Sequence, residues 1–130
     1  MSYLKNSNLK YEKLSKENTD DYEAFLKQFG STLIYHTEPF LRTLIKSFGF
    51  QQETIILKNN DQIQAVLPLL SMEGELGTVF NSLPFFGSYG GIYSLNKSSY
   101  DNLVKAFNDL RLKNNFLSNT IIQNPFQSFN

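Results

Sequence analysis

The stretch Thr54-Ile55-Ile56-Leu57, Lys58-Asn59-Asn60-Asp61 and Ile63-Gln64-Ala65-Val66-Leu67-Pro68-Leu69-Leu70 decides the fold. Its outer runs are aliphatic and β-branched, which suits a pleated, half-buried surface. Its middle is a cluster of turn-forming residues. In the second run Ile63, Ala65, Leu67 and Leu69 alternate with Gln62, Gln64, Val66 and Pro68. That alternation predicts an antiparallel hairpin with one face inward. Pro68 has no N–H to give to a ladder, so it belongs at an edge, a bulge or a strand end.

Upstream of the hairpin the apolar period changes to that of helices. Residues 1–10 read as a frayed polar end, and Tyr11 to Leu14 as the start of a short strand. Asn18 or Thr19 caps a helix whose first turn carries Asp20, Asp21 and Glu23, the favourable charge for that end. Tyr22, Phe25, Leu26 and Phe29 share one face, and Gly30 stops the helix. Thr37 caps a second helix with Glu38 and Pro39 in its first turn. Its buried stripe is Phe40, Leu41, Leu44, Ile45 and Phe48, and Gly49 closes it.

Downstream, Glu73 to Gly77 reads as a polar loop and Thr78 to Phe80 as a strand. Asn81 to Gly91 is rich in glycine, proline and aromatic residues and has no regular period. Ser98 with Asp101 resembles a capping pair, opening a helix to about Asn114 that buries Leu103, Phe107 and Leu110. Thr120 to Ile122 is a last strand. This order describes one domain over residues 1–130 of the α/β (α+β) class, with a mixed, mostly antiparallel sheet and flanking helices. The last strand ends almost at the terminus. Its edge is expected to be covered by further chain or another subunit, so the sheet reads as incomplete.

Composition narrows the function. Twelve basic residues balance twelve acidic ones, so no net field draws the chain to DNA or to an anionic membrane. There is no cysteine and one histidine, His36, which argues against thiolate chemistry and His- or Cys-rich metal sites. The amino terminus has no apolar run of the kind a secretory signal needs, and no segment is long and apolar enough to span a bilayer. A cytoplasmic protein is the expectation.

Four pieces, in order, carry a family resemblance: Tyr35-His36-Thr37-Glu38-Pro39-Phe40; Ser47-Phe48-Gly49; Ala65-Val66-Leu67-Pro68-Leu69; and Asn81 through Gly91, Asn-Ser-Leu-Pro-Phe-Phe-Gly-Ser-Tyr-Gly-Gly. Together they resemble the amino-terminal half of FemAB-like proteins of the GNAT acyltransferase superfamily, over roughly Thr32 to Ile122. The resemblance implies a part of an acyl- or aminoacyl-transferase that acts on an amine acceptor, such as a peptidoglycan (cell-wall) precursor or a saccharide. It further implies that a carboxy-terminal GNAT-like unit, missing here, holds the donor, acyl-CoA or aminoacyl-tRNA, and that this chain alone binds no cofactor and is inactive. There are departures. Phe40 stands where the family commonly has Trp, and Leu44 where cell-wall members carry a basic residue. The Gln/Arg-x-x-Gly-x-Gly/Ala turn that cradles a pyrophosphate is lacking.

Candidate acceptor-binding residues are Ser88, Tyr89, Gly90 and Gly91, whose glycines permit close backbone approach while Tyr89 offers a ring face and a hydroxyl. The competing reading is a tight turn with Tyr89 in the core. His36, before a helix start, is either an acceptor contact or base, or a hydrogen-bonded histidine fixing the helix entry. Arg42 and Lys46, one turn apart, can meet an anionic group as a pair or form a solvated face. Glu73 and Glu75 read as solvated loop carboxylates, and Pro84-Phe85-Phe86 as a wedge in the core or at an interface. No catalytic base is identifiable. The alternative to a transferase part is a stand-alone, non-catalytic binding or interaction module on a degenerate GNAT fold.

Overall fold

Asn60 and Asp61 take positive φ angles of 53° and 65°, the pair of left-handed conformations that closes a two-residue hairpin. The strands they join are β3 (Ile55–Asn59) and β4 (Gln62–Leu67). A computed structural model describes residues 8–29, 36–81, 91–114 and 118–120. Around the hairpin lie β1 (Leu9–Lys13), helix α1 (Thr19–Leu26), helix α2 (Glu38–Phe48) and β2 (Gln51–Gln52). After it come β5 (Leu70–Gly74), β6 (Gly77–Asn81), β7 (Tyr93–Ser94), helix α3 (Lys97–Asn114) and β8 (Ser118–Thr120).

Two ladders form, β1-β3-β4-β7 and β2-β5-β6-β8. They share one register. Ile55 faces Leu67 and Gln52 faces Leu70, which puts Thr54 opposite Pro68 at the break between them. Pro68 therefore sits at a strand end, as expected of a residue without an N–H. Thr54 spans the gap: its Oγ1 accepts from Leu69 N at 3.1 Å, and Glu53 N donates to Leu69 O at 2.9 Å. All pairings are antiparallel except β6 with β8, which run parallel because α3 carries the chain back across the sheet.

The expectation of a single inward face is corrected. Val66 is as buried as Ala65 and Leu67, because helices cover both sides of the hairpin. Ile56, Val66 and Leu70 pack with Tyr22, Phe25, Leu26, Leu41 and Leu44 of α1 and α2. Leu57, Ala65, Leu67 and Leu69 pack with Leu103 and Phe107 of α3. A bulge at Gln64, where Leu57 faces Ala65 but Lys58 faces Ile63, shifts the alternation and sends Ile63 to the α1–α2 side.

Local ends differ from expectation where tertiary contacts intervene. β1 begins at Leu9, inside the stretch expected to fray. α1 stops at Leu26 rather than running to Gly30, and Asn18 makes no cap to it. Its Oδ1 instead accepts from Ser15 N, and its Nδ2 donates to Lys13 O, tying the end of β1 to the helix start. Thr37 is the N-cap position of α2 but also makes no side-chain cap; Glu23 of α1 accepts from Glu38 N at 2.8 Å. Gly49, at φ 75°, ends α2 as expected, while Phe48 of its stripe is 54% exposed. Glu73 and Gly74 belong to β5, so the expected loop is a tight hairpin into β6.

Candidate functional site

His36 precedes α2 and is wholly buried. Its ring meets the Tyr93 ring edge-on at 4.3 Å between centroids, and the Phe29 ring lies 5.1 Å from that same Tyr93 ring. Its Nε2 lies 2.9 Å from the carbonyl oxygen of Gly91. A carbonyl only accepts, so Nε2 carries the proton and Nδ1 does not. Nδ1 is buried and has no hydrogen-bond partner among the described residues. Burial pushes the imidazole pKa down to about 4, against the smaller upward pull of the Gly91 bond. His36 is thus a buried, neutral hydrogen-bond donor at neutral pH.

The corner is closed from a third side. Tyr22 of α1, itself buried, donates its hydroxyl to the carbonyl of His36. Burial raises the Tyr22 phenol far above its ordinary range, so it stays a donor. One residue therefore links α1, the entry to α2 and the residue that leads into β7.

Of the stretch expected from the sequence to contact an acceptor, Gly91 is described and buried, whereas Ser88, Tyr89 and Gly90 lie outside the described residues, as do Pro84, Phe85 and Phe86. The described chain leaves the sheet at Asn81, opposite Leu70, and regains it at Tyr93, opposite Val66, on the same side of the β4–β5 segment. His36 and Gly91 are brought together. Arg42 and Lys46 are exposed on α2, and Arg42 pairs with Glu38 at 3.4 Å. Among the described residues no hydrogen bond or ion pair joins either to the His36–Gly91 corner.

The start of α3 departs from the expected Ser98–Asp101 cap. The helix begins at Lys97, so Ser98 lies inside it, and Asn96 is the cap: its Oδ1 accepts from Ser99 N at 2.8 Å. Ser94 Oγ donates to the Asn96 carbonyl at 2.7 Å and steadies it. Asp101 pairs with Lys97 instead. This helix start is filled by the protein's own side chain.

A second concavity escaped the sequence reading. A cleft of about 570 Å³ lies between β1 and α3, lined by Leu9, Tyr11, Ile55, Asn102, Ala106 and Asp109 among others. Tyr11 reaches across it to the Asn102 carbonyl at 3.3 Å, and burial, then Asp109, raises its phenol pKa. Tyr11 and Asn102 are far apart in sequence, so no local pattern marks them.

No protein-family model matches the sequence, and no curated protein does. Solved structures do. The ribosomal-protein-alanine N-acetyltransferase of Brucella melitensis biovar Abortus 2308 aligns with TM-score 0.58 at 8% identity, over 91% of this chain and 82% of that one. An aminoglycoside acetyltransferase from an uncultured soil metagenomic sample, in complex with trehalose, aligns with TM-score 0.55 at 13% identity, over 92% of this chain and 80% of that one. The fold is of the GNAT type. In this GNAT-type framework β7 and α3 lie between the parallel strands β6 and β8, and the His36 corner holds Gly91, two residues before β7. Among the described residues no helix is long and apolar enough to cross a membrane.

Proposed function

We propose that this chain is the acceptor-side part of a FemAB-like N-acyltransferase. It holds a primary amine of a cell-wall precursor, a saccharide or a similar molecule along Ser88, Tyr89, Gly90 and Gly91. The donor, acyl-CoA or aminoacyl-tRNA, is presented by a second GNAT-like unit, in the cytoplasm where such donors are made. In the transfer the amine nitrogen forms the new bond to the acyl carbon, the thiolate or tRNA oxygen leaves, and the nitrogen's proton passes to the leaving group.

One observation carries this reading: in an acetyltransferase-type fold, a buried histidine uses its single N–H to hold Gly91, the last residue of the glycine–tyrosine stretch. His36 then serves the acceptor site by fixing that stretch, because its own proton is committed and its ring is sealed from solvent. The filled cap at Asn96 supports a donor site elsewhere, since the backbone N–H of Ser99 is not free for a phosphate.

The test is to offer the chain acetyl-CoA or aminoacyl-tRNA with a panel of amines. The expected result is amine binding by calorimetry, weakened by about tenfold in Tyr89→Ala, without transfer. Turnover of acetyl-CoA by the chain alone overturns the division of labour. The filled cap equally fits a non-catalytic binding module, which gains no activity from any added donor unit.

A further inference from the structure

The cleft between β1 and α3 is built from two stripes. Leu9, Tyr11 and Lys13 alternate onto one face of β1, and Tyr11 and Lys13 lie across the ladder from Leu57 and Ile55 of β3. On α3 the core takes Leu103 and Phe107. Asn102, Ala106 and Asp109 follow the same i, i+4, i+7 spacing one residue earlier, so they form a neighbouring stripe that lines the cleft. α3 packs chiefly over β3, β4 and β7, and the cleft opens where it leaves the β1 edge. Leu9, Ile55, Ala106 and Leu110 give it an apolar floor, and its volume of about 570 Å³ is that of a small-molecule site.

The polar groups above that floor are set to accept. The Tyr11 hydroxyl gives its proton to the Asn102 carbonyl, which leaves the lone pairs of the phenol oxygen for another donor. Asp109 is close enough for its charge to add to burial in raising the Tyr11 phenol pKa. It is exposed, and among the described residues it is in no ion pair. The other two carboxylates of the lining are already matched, Glu53 by Lys13 at 3.0 Å and Glu12 by Lys58 at 3.1 Å. Lys105, one helical turn before Asp109, lines the cleft without pairing with it.

We propose that this cleft binds a small organic ammonium ion that carries an apolar or aromatic body. The body lies on the Leu9, Ile55, Ala106 and Leu110 floor, which is removed from water on binding. The ammonium N–H groups donate to the Asp109 carboxylate and to the Tyr11 oxygen, a charge-assisted bond and a neutral one. Asp109 thereby gains the counter-charge that the protein itself does not supply. The site shares no residue with the Ser88–Gly91 stretch and does not rest on the transferase reading.

Calorimetric titration of the full chain with phenethylammonium tests this, against phenethyl alcohol and 3-phenylpropanoate as neutral and anionic probes of similar shape. Saturable binding of the cation is expected, about tenfold or more tighter than either control. Asp109→Asn should weaken it by about tenfold, and Ala106→Phe, which fills the floor, should abolish it. Lys105→Gln removes a competing charge and should leave the affinity unchanged or raise it. Circular dichroism checks that each variant stays folded, and the exposed Asp109 and Lys105 keep the test independent of the fold should Ala106→Phe unfold. Absence of binding, equal binding of the alcohol, indifference to Asp109→Asn, or a loss in Lys105→Gln overturns the proposal. So does binding that survives Asp109→Asn and disappears in Tyr89→Ala, which would belong to the glycine–tyrosine stretch instead.

Discussion

The Nε2–H of His36 and the carbonyl oxygen of Gly91 meet at 2.9 Å across 55 residues of sequence, inside a corner closed by Tyr22 and Tyr93. The contact turns a property of one side chain into a constraint on two segments. It fixes the ring tautomer, holds the entry to α2, and anchors the residue from which the chain returns to the sheet. Four consequences of the fold can be measured.

The first concerns pH. The folded-state pKa of His36 is lowered to about 4 by burial, below its ordinary value of 6.5 in an unfolded chain. Above pH 6.5 both states hold the neutral ring and stability is intact. As pH falls towards 4, the unfolded chain takes a proton that the native corner refuses, and stability is lost by on the order of 3 kcal/mol. Carboxylates also titrate in this window, so the measurement is the difference from His36→Gln, which keeps a donor but does not titrate. Urea unfolding should show the parent losing more stability than the variant between pH 7 and 4.5, a window set by histidine's reference pKa of about 6.5 and its lowered native value. Equal losses would sink the assignment of a buried neutral ring.

The second concerns Tyr22. Its hydroxyl is the donor to the His36 carbonyl, and both are buried. Tyr22→Phe keeps the ring packing but leaves that carbonyl facing a hydrocarbon edge. A loss of about 1–3 kcal/mol is expected, the cost of an unsatisfied buried group. Thermal unfolding of the variant at neutral pH reads it directly, and an unchanged midpoint refutes the bond.

The third concerns the break in the ladder. Thr54 replaces with its side chain the backbone pairing that Pro68 interrupts, by accepting from Leu69 N. Thr54→Val preserves shape and removes the acceptor, which should destabilise the chain by about 1–3 kcal/mol. Thr54→Ser keeps the oxygen and should lose less. Should Val prove as stable as Ser in chemical denaturation, the side-chain bridge contributes nothing.

Much of the framework was legible because its signals are local. The Asn60–Asp61 turn, the left-handed Gly49 and the position of Pro68 each depend on residues within one turn or strand end. The burial of Val66 was not legible, since its side of the strand is defined by α1 and α2 packing from far upstream. Asn18 and Thr37 have the local signature of helix caps, yet Asn18 bonds back to Ser15 and Lys13 and Glu23 reaches over to Glu38 N. The candidate site was half legible. The pairing of His36 with Gly91 spans 55 residues of sequence, and spacing does not reveal such a partner.

The fourth prediction separates two readings of the α3 start. Sequence pattern favours Ser98 as the cap with Asp101 as its partner; the structure assigns the cap to Asn96, whose Oδ1 takes the Ser99 N–H, with Ser94 bracing its backbone. Asp101 is already engaged by Lys97, an exposed i,i+4 pair of small energetic value. Replacing the cap should therefore cost about 1 kcal/mol in Asn96→Ala, the usual loss when an N-cap acceptor is removed. Ser98→Ala, an exposed substitution by a good helix former inside the first turn, should be neutral or slightly stabilising. The two variants differ by one functional group at neighbouring exposed positions, so hydrophobic burial does not confound the comparison. Paired denaturation curves decide it: the larger loss in Ser98→Ala would return the cap to the position that the sequence pattern favours, and would move the helix start with it.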